Sequence, residues 1–345
     1  MIDLTVKRRV GGTGLELGPL GLGVAPLGNL YARVSEADSQ ATLEEAWRQG
    51  ITWLDAAPKY GFGLAEERVG RFLGGTLPGE RPLLSTKVGR VLEPAASAPV
   101  DAQFVAPAPY RPVFDYSPQG IERSYADSLR RLGVERVEIL LLHDVDRLSH
   151  AREHRELARQ LLNESLPALE RIKAERRVQA IGLGVCEWDI GYEILVSADI
   201  DCVLLAGRYT LLDASALTSG FLDACARRKV SVLAGGVFNS GFLAGGANYD
   251  YAAADATLIE RRDRLLALCK AHRVPLPAAA LQFTAAHPAI TSLVVGARSA
   301  QELKDILKWC RTPIPEALWA ALRQDRFIPE GAPVPDAVSK ELPCA

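Results

Sequence analysis

Ile139-Leu140-Leu141-Leu142-His143 is an apolar run without polar–apolar alternation, preceded by a helical pattern over Pro118–Leu132 and followed by another over Leu157–Arg176. A strand with one face in water alternates. A run like this one has both faces covered, as in a parallel sheet clothed by helices. The same strand-then-helix unit repeats outward in both directions. Strands fall at Leu20–Val24, Thr52–Leu54, Leu83–Lys87, Ala180–Gly184, Cys202–Leu205, Val230–Ala234 and Ser292–Val295. Helical patterns fall at Ser35–Gln49, Ala65–Leu73, Asp189–Val196, Leu217–Arg228, Leu258–His272 and Ser299–Trp309, the first opened by a capping box at Ser35-Glu-Ala-Asp38. Eight such units favour the closed α/β architecture of a (β/α)8 TIM barrel over an open doubly wound sheet.

No Ser/Gly/Pro-rich or highly charged linker interrupts the repeat, so residues 1–345 read as one domain. Leu4–Val10 and Leu15–Leu17, joined through Gly11-Gly12-Thr13-Gly14, predict a hairpin closing the barrel bottom. The long Arg90–Tyr116 segment is expected to hang over the opposite face, and Phe238–Ala256 is a second irregular segment. The proline-bearing tail, 310–345, is expected to wrap the mouth after a short helix near Glu316–Gln324.

Composition narrows the function. With 48% hydrophobic and 24% charged residues the chain can bury a large core, which excludes disorder and disulfide scaffolds. Forty Lys and Arg against 42 Asp and Glu give a net charge of −2, which supplies no field for nucleic acid or a membrane surface and points to a small-molecule partner. The cysteines at 186, 202, 225, 269, 310 and 344 have no metal-ligand spacing and read as reduced thiols, with no metal expected. Met1–Arg9 lacks an apolar leader core, and no run is long enough to cross a bilayer, so a cytoplasmic monomer or homodimer is expected.

In such a barrel, side chains at the C-terminal strand ends line the active site. Strand two runs into Asp55 and then Ala-Ala-Pro-Lys-Tyr60-Gly; strand three ends at Lys87 and strand four at His143. A lysine beside a buried carboxylate stays charged and draws a neighbouring phenol's pKa down toward working pH, so that Tyr60 can exchange protons with an alcohol or carbonyl. His143 can hydrogen-bond the same oxygen. Taken singly, Asp55 reads as a helix cap, Lys87 as a solvated strand end, His143 as a core histidine and Tyr60 as loop packing. One shared site explains all four together.

Leu54-Asp-Ala-Ala-Pro-Lys-Tyr-Gly-Phe-Gly-Leu-Ala-Glu-Glu67-Arg-Val-Gly70, Ser85-Thr-Lys87-Val-Gly89, Ser128-Leu-Arg-Arg-Leu-Gly133 and Leu141-Leu-His143-Asp144 resemble the motifs of the aldo-keto reductase superfamily, and the likeness runs from about Arg8 to Trp309. The resemblance implies Tyr60 as general acid/base, Asp55 and Lys87 tuning it, His143 orienting substrate, and a nicotinamide cofactor carrying hydride. Leu204-Leu-Ala-Gly-Arg-Tyr209, Gly184-Val-Cys-Glu-Trp188 and Val237-Phe-Asn-Ser-Gly241 are similar to the family's aldose 1-dehydrogenase branch. That branch implies oxidation of a cyclic hemiacetal to a lactone, with L-fucose, L-galactose and D-arabinose as expected sugars and pyridoxal as the alternative. A non-catalytic nicotinamide-binding regulatory subunit is a further alternative, from a different class.

Gly296-Ala297-Arg298-Ser299, followed by Glu302 and Asp305, places a glycine turn, a cation and a helix N-terminus after strand eight, an anion site that the resemblance assigns to the adenosine end. Arg298 tilts the expectation toward NADP over NAD, while Glu302 would oppose a 2′-phosphate. Phe238-Asn239-Ser240-Gly241 and Leu243 offer small residues and backbone N–H groups for the pyrophosphate, with Phe238 against the nicotinamide and Gly23 at the end of strand one nearby. Cys186-Glu187 and Ala206 depart from the family's usual carboxamide contacts. Trp188, Tyr209, Tyr110 and Phe104 are expected around the substrate, with a core role equally open for Trp188 and Tyr209.

Overall fold

The computed structural model describes residues 1–75, 79–97, 99–150 and 154–335. Eight parallel strands, Leu20–Gly23, Trp53–Asp55, Leu83–Val88, Ile139–His143, Ala180–Val185, Cys202–Ala206, Ser231–Gly235 and Ile290–Gly296, pair in chain order and close as the last joins the first. The unbroken apolarity of strand four now has a physical cause. Ile139 and Leu141 point into the barrel beside Trp53, Leu204, Leu233 and Val294, whereas Leu140 and Leu142 join the layer between barrel and helices.

The bottom is sealed as expected. Arg8–Arg9 pairs antiparallel with Glu16–Leu17, and Val10, Leu15 and Leu17 cap the inner apolar cluster. Trp53 fills that cluster with no solvent exposure; its indole N–H donates to Ser292 Oγ at 3.1 Å, and Ser292 in turn donates to the Gly18 carbonyl at 2.7 Å. Helix starts follow local chemistry: Ser35 Oγ accepts from the Asp38 N–H at 3.0 Å, and Ser117 Oγ accepts from the Gly120 N–H at 3.0 Å.

Sequence periodicity misses the helix Leu276–Ala285. Leu276, Ala278, Ala279, Ala280, Leu281, Gln282, Phe283 and Thr284 are all buried, so no polar face betrays its period. It packs on strand eight, while Ala256–Ala271, read from sequence as the seventh barrel helix, buries only Leu265 and Cys269 and forms an outer layer. Glu316–Gln324 is helical as expected, but it packs against that outer helix, with the Phe327 ring between Arg261 and Arg264. This part of the tail, through Phe327, therefore lies against the outer helix, and none of 310–335 lines the cavity described below; 336–345, with Cys344, fall outside the described residues.

Over the mouth, the 90–116 segment is not a plain loop: Arg90–Pro94 and Tyr110–Phe114 form an antiparallel ribbon, and Phe104 bridges to Leu30. The 238–256 segment holds a helical turn, Phe242–Ala244, and a small ribbon, Asn248–Tyr249 with Ala252–Ala253. No described helix is long and apolar enough to cross a membrane. Because Trp53 ties strand two to strand eight and to the bottom hairpin, Trp53→Ala should cost about 3–5 kcal/mol of unfolding free energy, measured as a lower urea midpoint by circular dichroism.

Candidate active site

Lys87 is the next-to-last residue of strand three and points across the barrel interior. Its path is open because Gly184 stands opposite: a β-carbon there would lie 3.2 Å from the lysine Cδ and Cε. The ammonium donates to Asp55 Oδ2 at 2.7 Å, Asp55 Oδ1 at 2.9 Å, the Ala56 carbonyl at 2.9 Å and the Tyr60 hydroxyl at 3.1 Å. Ser85 Oγ adds a bond to Asp55 Oδ1 at 2.7 Å. Tyr60 reaches this point from the turn after strand two, which is pressed against the loop after strand one. Gly61, at φ 62°, has no room for a β-carbon against the Gly28 carbonyl.

The electrostatics correct one expectation. Burial alone would lower the Lys87 pKa, yet the Asp55 carboxylate, with Tyr60, outweighs it, and the ammonium is held above its ordinary value. Burial pushes the Tyr60 phenol up; Lys87 pulls it down as expected, but the Asp55 charge opposes, and the net direction is upward. The hydroxyl of Tyr60 is therefore protonated at neutral pH, with a permanent cation aligned on its oxygen.

His143 ends strand four, where Tyr116 donates its hydroxyl to the His143 carbonyl at 2.7 Å. Burial holds the imidazole well below its ordinary pKa and hence neutral, with Lys87, Arg90 and Lys59 acting in the same direction against Asp144. Its ring meets the Tyr60 ring edge-on, centroids 6.0 Å apart. Nε2 lies 3.4 Å from Asp144 Oδ1, and Nδ1 is buried without a protein partner. Asp144 itself sits in the left-handed region at φ 52°, its other oxygen accepting from Arg90 at 2.7 Å and from Lys59 at 3.4 Å. Burial would raise this carboxyl, but His143, Lys59 and Arg90 hold it well below the usual carboxylate range.

All four strand-end candidates, Asp55, Tyr60, Lys87 and His143, line one cavity of about 640 Å³, within the range of small-molecule sites. It extends from them toward strand eight along Gly23, Cys186, Phe238, Asn239, Ser240 and Gly241, and ends at Gly296, Arg298, Glu302 and Asp305. Phe238 is held edge-on by Trp309, centroids 5.8 Å apart. Asn239 and Ser240, at φ 46° and 59°, turn the chain along the channel; Asn239 Oδ1 is buried without a partner. That orphaned acceptor and the turned backbone suit an elongated, donor-bearing cofactor. At the far end Arg298 is already engaged: its Nη2 and Nε donate to Glu302 Oε1 at 2.6 and 3.0 Å, and its backbone N–H donates to Oε2 at 2.8 Å. Among the described residues no group of three or more potential ligands is arranged for a metal, and Cys186, Cys202, Cys225, Cys269 and Cys310 are free thiols.

Several of the expected residues do not line the cavity. Tyr209 is 4% exposed and packs on Phe283 and His287, with centroids 4.9 and 5.2 Å away, so it belongs to the core. Tyr110 sits in the mouth ribbon and packs on the Phe62, Leu92 and Phe104 cluster; of that expected wall only Phe104 reaches the cavity. Trp188 opens a helix and packs against the main core. Glu187 turns away to accept from the Leu148 N–H at 2.8 Å, Ser299 caps its helix, and Ala297 and Leu243 are buried off the channel. Conversely, Tyr31, Lys59, Gln103, Asp144, Arg208 and Tyr251 line the cavity without having been singled out. Lys59, Gln103, Asp144 and Arg208 each stand next to a candidate residue in the sequence, whereas Tyr31 and Tyr251 carried no such signal.

The aldo/keto reductase family pattern matches residues 19–325. The chain is 41% identical over 337 residues to pyridoxal 4-dehydrogenase of Microbacterium luteolum, covering 93% of this chain and 98% of that one. It is 39% identical over 326 residues to D-threo-aldose 1-dehydrogenase of a Pseudomonas species, covering 92% and 96%. In fold it is similar to the glycerol dehydrogenase of Gluconobacter oxydans, with a TM-score of 0.71 at 20% identity over 96% of this chain and 98% of that one. With the strand-end quartet in place and the family pattern spanning most of the barrel, the chain belongs to the aldo/keto reductase family.

Proposed function

We propose that the protein oxidises the cyclic hemiacetal of an aldose at C1 to the lactone, with L-fucose, L-galactose and D-arabinose as fitting sugars. The observation that carries this reading is the polar end of the cavity. Lys59, Gln103, Asp144 and Ser149 line it beside Tyr60 and His143, a set of hydrogen-bond partners suited to a polyol. The similarity to an aldose 1-dehydrogenase supports it. A bound nicotinamide would accept the C1 hydride. Tyr60, as the phenolate left when its proton passes to solvent, takes the proton from the anomeric hydroxyl and becomes the phenol again, and Lys87, kept charged by Asp55, stabilises the phenolate that precedes the transfer. Neutral His143 holds the same oxygen by a hydrogen bond.

Asn239, Ser240 and Gly241 would hold the pyrophosphate and nicotinamide ribose, Phe238 the ring, and Gly296, Arg298, Glu302 and Asp305 the adenosine. The sequence leaned toward NADP on Arg298. With that guanidinium already paired to Glu302 and Asp305 alongside, the far end of the cavity favours a 2′-hydroxyl over a 2′-phosphate, and we assign NAD as the preferred cofactor.

A second reading, oxidation of pyridoxal, is favoured by the 41% identical relative and by Phe104, which lies 6.3 Å from the Tyr60 ring and gives the cavity a flat wall. The intact quartet weighs against a purely regulatory role. Initial rates with NAD and NADP across L-fucose, L-galactose, D-arabinose, D-glucose and pyridoxal should show turnover of the first three sugars; turnover of pyridoxal alone would replace the aldose reading with the second. Tyr60→Phe should lower kcat by on the order of a hundredfold with reduced-cofactor affinity retained. Because the phenol is raised, the wild-type oxidative rate should climb with pH well above neutrality; a rate that is flat from pH 7 to 10 would remove Tyr60 as the base. Glu302→Gln frees Arg298 and should shift the NADP-to-NAD affinity ratio toward NADP by roughly tenfold, read by fluorescence titration.

A further inference from the structure

Four cationic side chains line the cavity: Lys59, Lys87, Arg208 and Arg298. Three are closely committed. Lys87 lies 2.7 Å from Asp55, Arg208 2.7 Å from Asp250, and Arg298 2.6 Å from Glu302. Lys59 differs. Its one acidic neighbour among the described residues, Asp144 Oδ2, is 3.4 Å away and is already occupied by Arg90 at 2.7 Å, and the lysine side chain is 24% exposed to the cavity. An ammonium has three donors in rotating positions, and this one spends at most one of them, weakly.

Its location gives those donors a target. Lys59 directly precedes Tyr60 in the turn after strand two, and the carboxylate it leans on directly follows His143. The ammonium therefore lies on the His143 side of the cavity, against the carboxylate that also meets the imidazole. Asp144 cannot serve a ligand equally well, since its two oxygens face His143 and the Arg90–Lys59 pair. Arg90 is itself buried and stacked on Phe114, 3.8 Å from the ring centroid, which fixes the carboxylate and through it the lysine.

We infer that Lys59 is a specificity-determining residue that donates to an oxygen on the carbon next to the reacting one. This rests on the hemiacetal reading above and names what that site selects. An aldose offers such an oxygen as its C2 hydroxyl; the phenolic oxygen of pyridoxal stands one carbon farther away, and a simple alcohol or a 2-deoxy sugar has none.

The test is a cycle of enzyme and substrate: wild type and Lys59→Met, each with D-arabinose and with 2-deoxy-D-ribose, which is D-arabinose without the C2 oxygen. Any general harm to folding or to Tyr60 affects both sugars alike and cancels in the ratio of kcat/KM values. The expected result is a wild-type preference for D-arabinose of on the order of tenfold or more, as a charge-assisted hydrogen bond gives, largely lost in Lys59→Met and largely kept in Lys59→Arg. A ratio unchanged in Lys59→Met overturns the inference. If the wild type oxidises pyridoxal but neither sugar, the aldose reading falls and takes the inference with it, whereas an unchanged ratio on sugars that are turned over overturns the inference alone.

Discussion

The ion pair between Lys87 and Asp55 is the contact on which the rest of the mouth depends. Both side chains are almost wholly buried, at 1% and 2% exposure, so each would be expensive to hold charged without the other. Removing one partner from such a pair typically costs about 3–5 kcal/mol, because the remaining charge is stranded. The pair also joins strand two to strand three across the barrel opening, and the Ala56 carbonyl and Ser85 hydroxyl complete its hydrogen bonds. Only one donor direction of the lysine is left over. The hydroxyl of Tyr60 occupies it.

A second charged group, built outward from the first, shapes the substrate side. Arg90, locked by Phe114, anchors Asp144; Asp144 in turn approaches both His143 and Lys59. The left-handed conformation of Asp144, uncommon for a residue with a side chain, is what turns its carboxylate to meet all three. The two groups thus divide the work. One fixes the proton-transfer residue at the floor, and the other arranges the donors around it.

The strand-end quartet was legible in the sequence because each member is placed by backbone connectivity. Asp55, Lys87 and His143 end or nearly end apolar strands, and a closed parallel barrel sends all such ends to one face. Tyr209, Trp188 and Tyr110 were not legible in this way: aromatic residues near strand ends have the same composition whether they face a ligand or a neighbour, and Phe283, His287 and the mouth ribbon claim them. Leu276–Ala285 escaped for a related reason, since a helix buried on every side has no period to read.

Sequence alone determined the barrel, the bottom hairpin and the four residues that converge at the mouth, because these follow from hydrophobic period, strand count and chain order, all local or additive properties. The tertiary structure decided which way charge and side chains are committed: that burial outweighs Lys87 in setting the Tyr60 hydroxyl, that Arg298 is already paired with Glu302, and that Lys59, unlike Lys87, Arg208 and Arg298, has no described carboxylate closer than 3.4 Å. Those outcomes depend on distances of a few ångströms between residues far apart in the chain, and no pattern along the chain encodes them.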